Sequence, residues 1–98
     1  MQSSDDKLVL YGDYQSQPSR AIFAFCLLNN IPHEVRLVSV TGLEQYSKDF
    51  KKVNPNAKVP AITDGSFNLS ESHTILRYLC RSRSHMVADH WYPAKDLQ

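Results

Sequence analysis

Ninety-eight residues, 42% of them apolar and 21% charged, give room for one small core and are too apolar for a disordered chain. A formal net charge of +1 builds no field that would draw nucleic acid or an anionic membrane. No apolar run reaches the length of a membrane span, and Met1-Gln2-Ser3-Ser4-Asp5-Asp6 lacks the basic and apolar regions of a signal peptide, so a polar tail over residues 1–6 and a cytoplasmic setting are expected.

Residues 7–12 are strand formers closed by a glycine and read as a buried strand. After the turn Tyr14-Gln15-Ser16-Gln17, Pro18 suits the first turn of a helix, where its missing N–H has no partner to lose. Ala21, Phe25 and Leu28 recur at helical spacing, as do Ile22 and Cys26, so this helix should need cover on more than one side. Asn29-Asn30-Ile31-Pro32 ends it. Residues 33–38 alternate polar and apolar, which predicts a half-buried strand and completes a βαβ unit with a parallel pair.

The polar stretch 42–52 predicts a short helix with Leu43, Tyr46 and Phe50 on one face. A turn at Val53-Asn54-Pro55-Asn56 precedes a strand over 58–63 whose entrance carries Pro60. Asp64-Gly65 is the strongest hairpin signal in the chain and sets Phe67-Asn68-Leu69 antiparallel to Ala61-Ile62. The last clear helix spans 71–83, with Ile75, Leu76, Leu79 and Cys80 as its buried stripe and Arg77, Arg81 and Arg83 on its solvated side. Residues 84–98 have no sustained period and read as a tail or linker, with Trp91 and Tyr92 as packing residues. Both cysteines lie inside apolar helical patterns, which fits buried thiols in a reducing compartment better than a disulfide framework. His33, His73, His85 and His90 form no metal-ligand spacing.

Strand, helix, strand, helix, strand, strand, helix, with right-handed crossovers, assembles most simply as a parallel pair extended by an antiparallel hairpin. The expectation is an α/β, thioredoxin-like domain over residues 7–83, βαβαββα, with a mixed four-stranded sheet and helices on both faces.

In that plan the turn before the first helix is where redox enzymes keep two cysteines, because the helix N-terminus stabilises a thiolate. Ser16 and Ser19 hold those positions here, and serine forms no disulfide. A hydroxyl beside a helix N-terminus suits steadying an anion, such as the thiolate of a bound small molecule. A hydrogen bond to a charged group contributes about 1.5–3 kcal/mol. At about 1.4 kcal/mol per pKa unit, one hydroxyl can lower a bound thiol by roughly one to two units from about 8.5. The alternative is an N-cap, the commoner role of serine at such a turn.

Two other stretches carry the same ambiguity. A cis bond before Pro60 would turn the N–H and C=O of Val59 towards the first helix turn, ready to pair with an extended peptide. The residues alone favour a trans proline protecting an edge strand. Ser70-Glu71-Ser72 opens the last helix, where backbone N–H groups and a hydroxyl can receive a carboxylate and Glu71 an ammonium. Asn68-Leu69-Ser70-Glu71 also has the spacing of a capping box.

Taken together, Ser16-Gln17-Pro18-Ser19-Arg20-Ala21, Val53-Asn54-Pro55, Lys58-Val59-Pro60-Ala61, Asp64-Gly65, Leu69-Ser70-Glu71-Ser72 and His90-Trp91-Tyr92-Pro93 resemble the N-terminal, thioredoxin-like domain of glutathione transferases, theta class above all. The resemblance implies glutathione as co-substrate, no cofactor or metal, and conjugation of its sulfur to small electrophiles. It implies Ser16 as the donor to the thiolate, in preference to Tyr11, which lies near the position used by tyrosine-type classes. It further implies a cis Pro60 with Val59 pairing to the cysteinyl unit, Glu71 and Ser72 on the γ-glutamyl end, and Gln17 and Lys58 close to the peptide. Gln45 stands where theta-class members commonly carry a histidine, so Lys58 is expected to hold most of the glycyl carboxylate.

Such proteins continue into a helical domain that supplies most of the electrophile pocket and part of a homodimer interface. The chain is therefore expected to be either an excised half or a protein built from this half alone, with residues 84–98 leading towards the second domain and apolar surface left uncovered. The rival reading is a non-catalytic docking module of the same fold.

Overall fold

The computed structural model describes residues 7–87; the tail over 1–6, His90, and the Trp91 and Tyr92 packing expected in the last segment lie outside the described residues. The elements are β1 (Leu8–Gly12), α1 (Gln17–Leu28), β2 (Glu34–Leu37), a short 3-10 turn (Glu44–Tyr46), α2 (Lys48–Val53), β3 (Ala61–Asp64), β4 (Phe67–Ser70) and α3 (Ser72–Ser82). The sheet runs β2-β1-β3-β4, with β1 and β2 parallel and the other pairs antiparallel. This is the expected thioredoxin-like plan.

The main core lies between the sheet and the α1/α3 pair. Leu8, Leu10, Ile22, Cys26, Ile62, Ile75, Leu79 and Cys80 fill it. On the opposite face α2 presses Phe50 against Val38 and Ala61, with Tyr11, Val53 and Val59 around them. Neither cysteine is in a disulfide, and both are buried. Burial pushes the Cys26 thiol up to about 12, far from the reactive range.

Several expectations are corrected. On α1, Ala21 and Leu28 face solvent, and Leu27 and Leu28 are about two-thirds exposed. The helix is covered on one side only, by α3 and the sheet. Strand β2 lies at a sheet edge, which leaves Leu37 in water. The segment predicted as one helix over 42–52 is two pieces. Leu43 sits in the left-handed region (φ 62), and Ser47 is extended and caps α2 by accepting the Phe50 N–H at 3.1 Å. That fresh cap breaks the helical face, so Phe50 is buried while Leu43 and Tyr46 are not.

Strand β3 begins at Ala61 rather than Lys58, and the Val59–Pro60 bond is cis, against the trans reading of the bare residues. The hairpin forms with Asp64 opposite Phe67, so Gly65 and Ser66 make the tip; Gly65 has φ 63, a conformation L side chains resist. Arg83 is not solvated. Its guanidinium forks onto the buried Asp64 carboxylate at 2.6 and 3.0 Å, just past the end of α3.

Candidate functional site

Two adjoining cavities lie at the mouth of α1. One, of about 340 Å³, is lined by Ser16, Val40, Gln45, Tyr46, Ala57, Lys58 and Val59. The other, of about 160 Å³, is lined by Pro18, Asn54, Lys58, Val59, Pro60, Ser70, Glu71 and Ser72. Lys58 and Val59 line both, which makes one continuous cleft. Every sequence-predicted site residue lines it except Gln17, which is exposed on the first turn of α1 and borders neither cavity.

Ser16 is the N-cap of α1. Its Oγ accepts the Ser19 N–H at 3.3 Å, so the bland reading of this serine is correct as far as it goes. A hydroxyl oxygen that accepts keeps its own proton to give, and no acceptor for that proton lies among the described residues. The turn is held rigid around it. Ser16 N–H donates to the Asp13 carbonyl at 2.8 Å, the Arg20 guanidinium to the Tyr14 carbonyl at 2.6 Å, and Tyr14 meets Phe23 edge-on at 5.5 Å.

Gly12 lets β1 and α1 approach closely. A Cβ there would stand 2.6 Å from Ser19 Oγ and 2.8 Å from Phe23 Cζ. Ser19 is fully buried and contributes nothing to the cleft; its Oγ has no hydrogen-bond partner among the described residues. Tyr11 faces elsewhere. It stacks at a tilt on Phe50 and lines a separate groove with Arg36 and Val38, so it offers no alternative to Ser16 in this cleft.

The opposite wall comes from the approach to β3 and from α3. Asn54, which the sequence marked as part of a turn and of the resemblance but not as a site residue, is buried. Its Nδ2 donates to the Lys58 carbonyl at 2.9 Å while its Oδ1 accepts the Asn56 N–H at 3.1 Å. This fixes the strip carrying Lys58 and Val59; an Asx turn is the signal that could have flagged it. At α3, Glu71 is the N-cap with φ 75, and no side chain caps the helix. The predicted capping box is therefore not formed, and the first-turn N–H groups remain available to an anion.

Gln45 is buried to 9% exposure, and its Oε1 has no hydrogen-bond partner among the described residues. The cleft thus presents a hydroxyl donor at one helix N-terminus, an uncapped second helix N-terminus, a carboxylate, an ammonium and a buried amide. No group of histidine, cysteine, aspartate and glutamate among the described residues could hold a metal ion. No helix among the described residues is long and apolar enough to cross a membrane.

The four-stranded sheet and its helices are those of a thioredoxin-like domain, with Ser16 and Ser19 rather than cysteines at the turn into α1. The sequence pattern of the glutathione S-transferase N-terminal domain matches residues 10–85. The chain belongs to that family. It is 52% identical over 87 residues to glutathione S-transferase T1 of Arabidopsis thaliana, covering 89% of this chain and 35% of that protein. Human glutathione S-transferase T1-1 in its apo form superposes with a TM-score of 0.82 at 48% identity, over 88% of this chain and 35% of that one. Human glutathione transferase theta-2, solved in complex with glutathione and an unknown ligand, superposes with a TM-score of 0.83 at 43% identity, again over 88% and 35%. The chain spans 15% to 37% of the length of the curated relatives it matches.

Proposed function

We propose that this chain is the glutathione-binding half of a glutathione transferase, in which the Ser16 hydroxyl donates to the bound thiol and holds it as thiolate for attack on an electrophile. The observation that carries this reading is the unspent Ser16 proton at the N-terminus of α1, in a cleft continuous with the uncapped N-terminus of α3. Glutathione fits the chemistry along that cleft. Its cysteinyl backbone pairs with Val59, its γ-glutamyl carboxylate meets the first turn of α3 and Ser72, and its amino group meets Glu71. Its glycyl carboxylate meets Lys58, with Gln45 beside it. Gln17 stands outside the two cavities and is left without a direct role.

The chemistry needs no general base. The helix N-terminus and one hydroxyl favour the ionised sulfur, and the thiol proton leaves to solvent. Three of the four described non-glycine residues with positive φ support the reading, Asn30 past the far end of α1 being the fourth: Leu43 opens the turn carrying Gln45, Ala57 lines the cleft, and Glu71 stands at the N-cap position of α3 beside it. Such conformations cluster at ligand sites. The helical second half would supply most of the electrophile pocket.

Two measurements test this. Titrating glutathione into labelled chain should shift the amides of Val59 and Ser72; silence there would favour a docking module of the same fold. Ser16→Ala should then raise the bound thiol's pKa by roughly one to two units, read from thiolate absorbance against pH, with affinity changed far less. An unchanged thiol pKa would remove Ser16 from the mechanism.

A further inference from the structure

The arm between β2 and α2 forms one side of the cleft and carries Val40, Gln45 and Tyr46. At its root the Val38 N–H donates to the Gly12 carbonyl at 2.8 Å, and Val38 packs with Phe50 and Ala61. Beyond that root, a side-chain link to the turn that carries Ser16 comes from Asp13, the residue after β1. Its Oδ2 accepts the Val40 N–H at 2.9 Å, across 27 positions of sequence, while its Oδ1 accepts the Gln15 N–H at 2.9 Å and its carbonyl accepts the Ser16 N–H at 2.8 Å. One residue thus holds both lips of the cleft.

The arm is wired so that this anchor reaches its far end. The Val40 carbonyl accepts from Leu43 N–H at 3.0 Å, and the Leu43 carbonyl accepts from Tyr46 N–H at 3.1 Å. Glu44 closes the loop, its Oε1 accepting the Ser39 N–H at 2.7 Å and its own N–H donating to the Ser39 carbonyl at 2.9 Å. Gln45 lies between Glu44 and Tyr46, both tied back towards Ser39 and Val40. The two backbone bonds hold the Asp13 carboxyl below the usual carboxylate range, so it accepts as an anion at neutral pH.

We propose that Asp13 is a positioning residue: its carboxylate fixes the arm bearing Gln45 against the turn bearing Ser16, and so sets the reach of the cleft for the glycyl end of glutathione. This rests on the glutathione reading of the site. Asp13 lines neither cavity, so its effect passes through Val40 and the loop. A misplacement of about 1 Å in such an arm is enough for a large loss of binding or rate.

The test compares wild type, Asp13→Ala and Asp13→Asn in the whole chain, below unfolding, with Leu10 and Ile62 amides as reporters of an intact core. Without ligand, hydrogen exchange should accelerate together at Val40, Leu43, Glu44 and Tyr46 in Asp13→Ala. Asp13→Asn, with one acceptor oxygen left, should fall between. Acceleration confined to Val40 and Gln15 overturns the proposal.

With ligand, Asp13→Ala should bind glutathione roughly tenfold more weakly, yet bind γ-glutamylcysteine, which has no glycyl end, as wild type does. Equal weakening of both ligands, or glutathione binding unchanged, overturns it. Should wild type bind neither peptide, the glutathione reading fails on its own account, and the exchange pattern alone supports or overturns the anchoring of the arm by Asp13.

Discussion

At Gln45 folding and the proposed binding of glutathione pull in opposite directions. A buried amide oxygen without a donor costs about 1–3 kcal/mol, and Gln45 Oε1 is in that position in the free chain. Replacing it by leucine, of similar volume, removes the unmet group. Gln45→Leu is therefore expected to leave stability unchanged or raise it by about 1 kcal/mol in urea denaturation, while weakening glutathione several-fold. A loss of stability of the size usual for a core substitution would mean that Gln45 is already satisfied without ligand. Lys58 makes the contrasting case. It is exposed, so Lys58→Ala should barely move the unfolding midpoint. It is also the one ammonium lining both cavities, and its loss should weaken glutathione roughly tenfold, with the remaining affinity less sensitive to salt. A wild-type affinity in that variant would take the glycyl carboxylate away from Lys58.

Among the elements, the contact of β1 with α1 governs where Ser16 stands. Gly12→Ala would drive a methyl group to within 3 Å of Ser19 and Phe23, both buried. Overpacking of this kind costs about 1–3 kcal/mol. The helix can relieve it only by moving away from the strand, so glutathione affinity should fall along with stability. A variant that is less stable in urea and binds more weakly while still folded would support this coupling; one that is destabilised but binds normally would break it. The same elements mark how far the sequence could be read. The strand and helix order, the hairpin and the buried stripe of α3 follow from periodicity and one Asp-Gly pair, because those signals are local. The split of the 42–52 helix was hidden because Ser47 acts as a new cap there, against a hydrophobic spacing that favoured one continuous face. Ser16 could be singled out only as a cap or a thiol donor, and it is a cap that keeps a proton to give. Asp13 and Asn54 were overlooked for a common reason. Each works by accepting from, or donating to, backbone that only the fold brings near, and a single polar residue in a turn gives no sign of that.

On the scale of the molecule, one ionic cluster ties the hairpin to the end of α3. Asp64, on the last position of β3, receives both the Arg83 fork and the Tyr78 hydroxyl. Side-chain exposure is 11% for Arg83 and 5% for Asp64, so the pair is screened little by solvent. The hydrogen bond from Arg83 is the main cause that holds the Asp64 carboxyl below its ordinary value, against the opposing effect of burial. Burial, with the bond to Asp64, raises the Tyr78 phenol. The signs set the pH window. A carboxyl whose folded pKa is depressed contributes stability above its unfolded value near 4, and that contribution is lost as pH falls through the folded value. A phenol whose folded pKa is raised contributes below about 10 and stops doing so as pH climbs through the folded value. Stability from this cluster should therefore be flat through neutrality and decline on both flanks. Removing one partner leaves a buried carboxylate unpaired, which costs about 3–5 kcal/mol. Arg83→Met is expected to lose that much at pH 7 in denaturant titrations, and progressively less towards acid, where protonating Asp64 spares the variant its unpaired charge. Pairing it with Asp64→Asn should recover part of the loss, because neither charge then remains to be desolvated. A deficit of the same size at every pH would mean that Arg83 holds α3 to the hairpin by packing of its stem, and that the charge on Asp64 has no part in it.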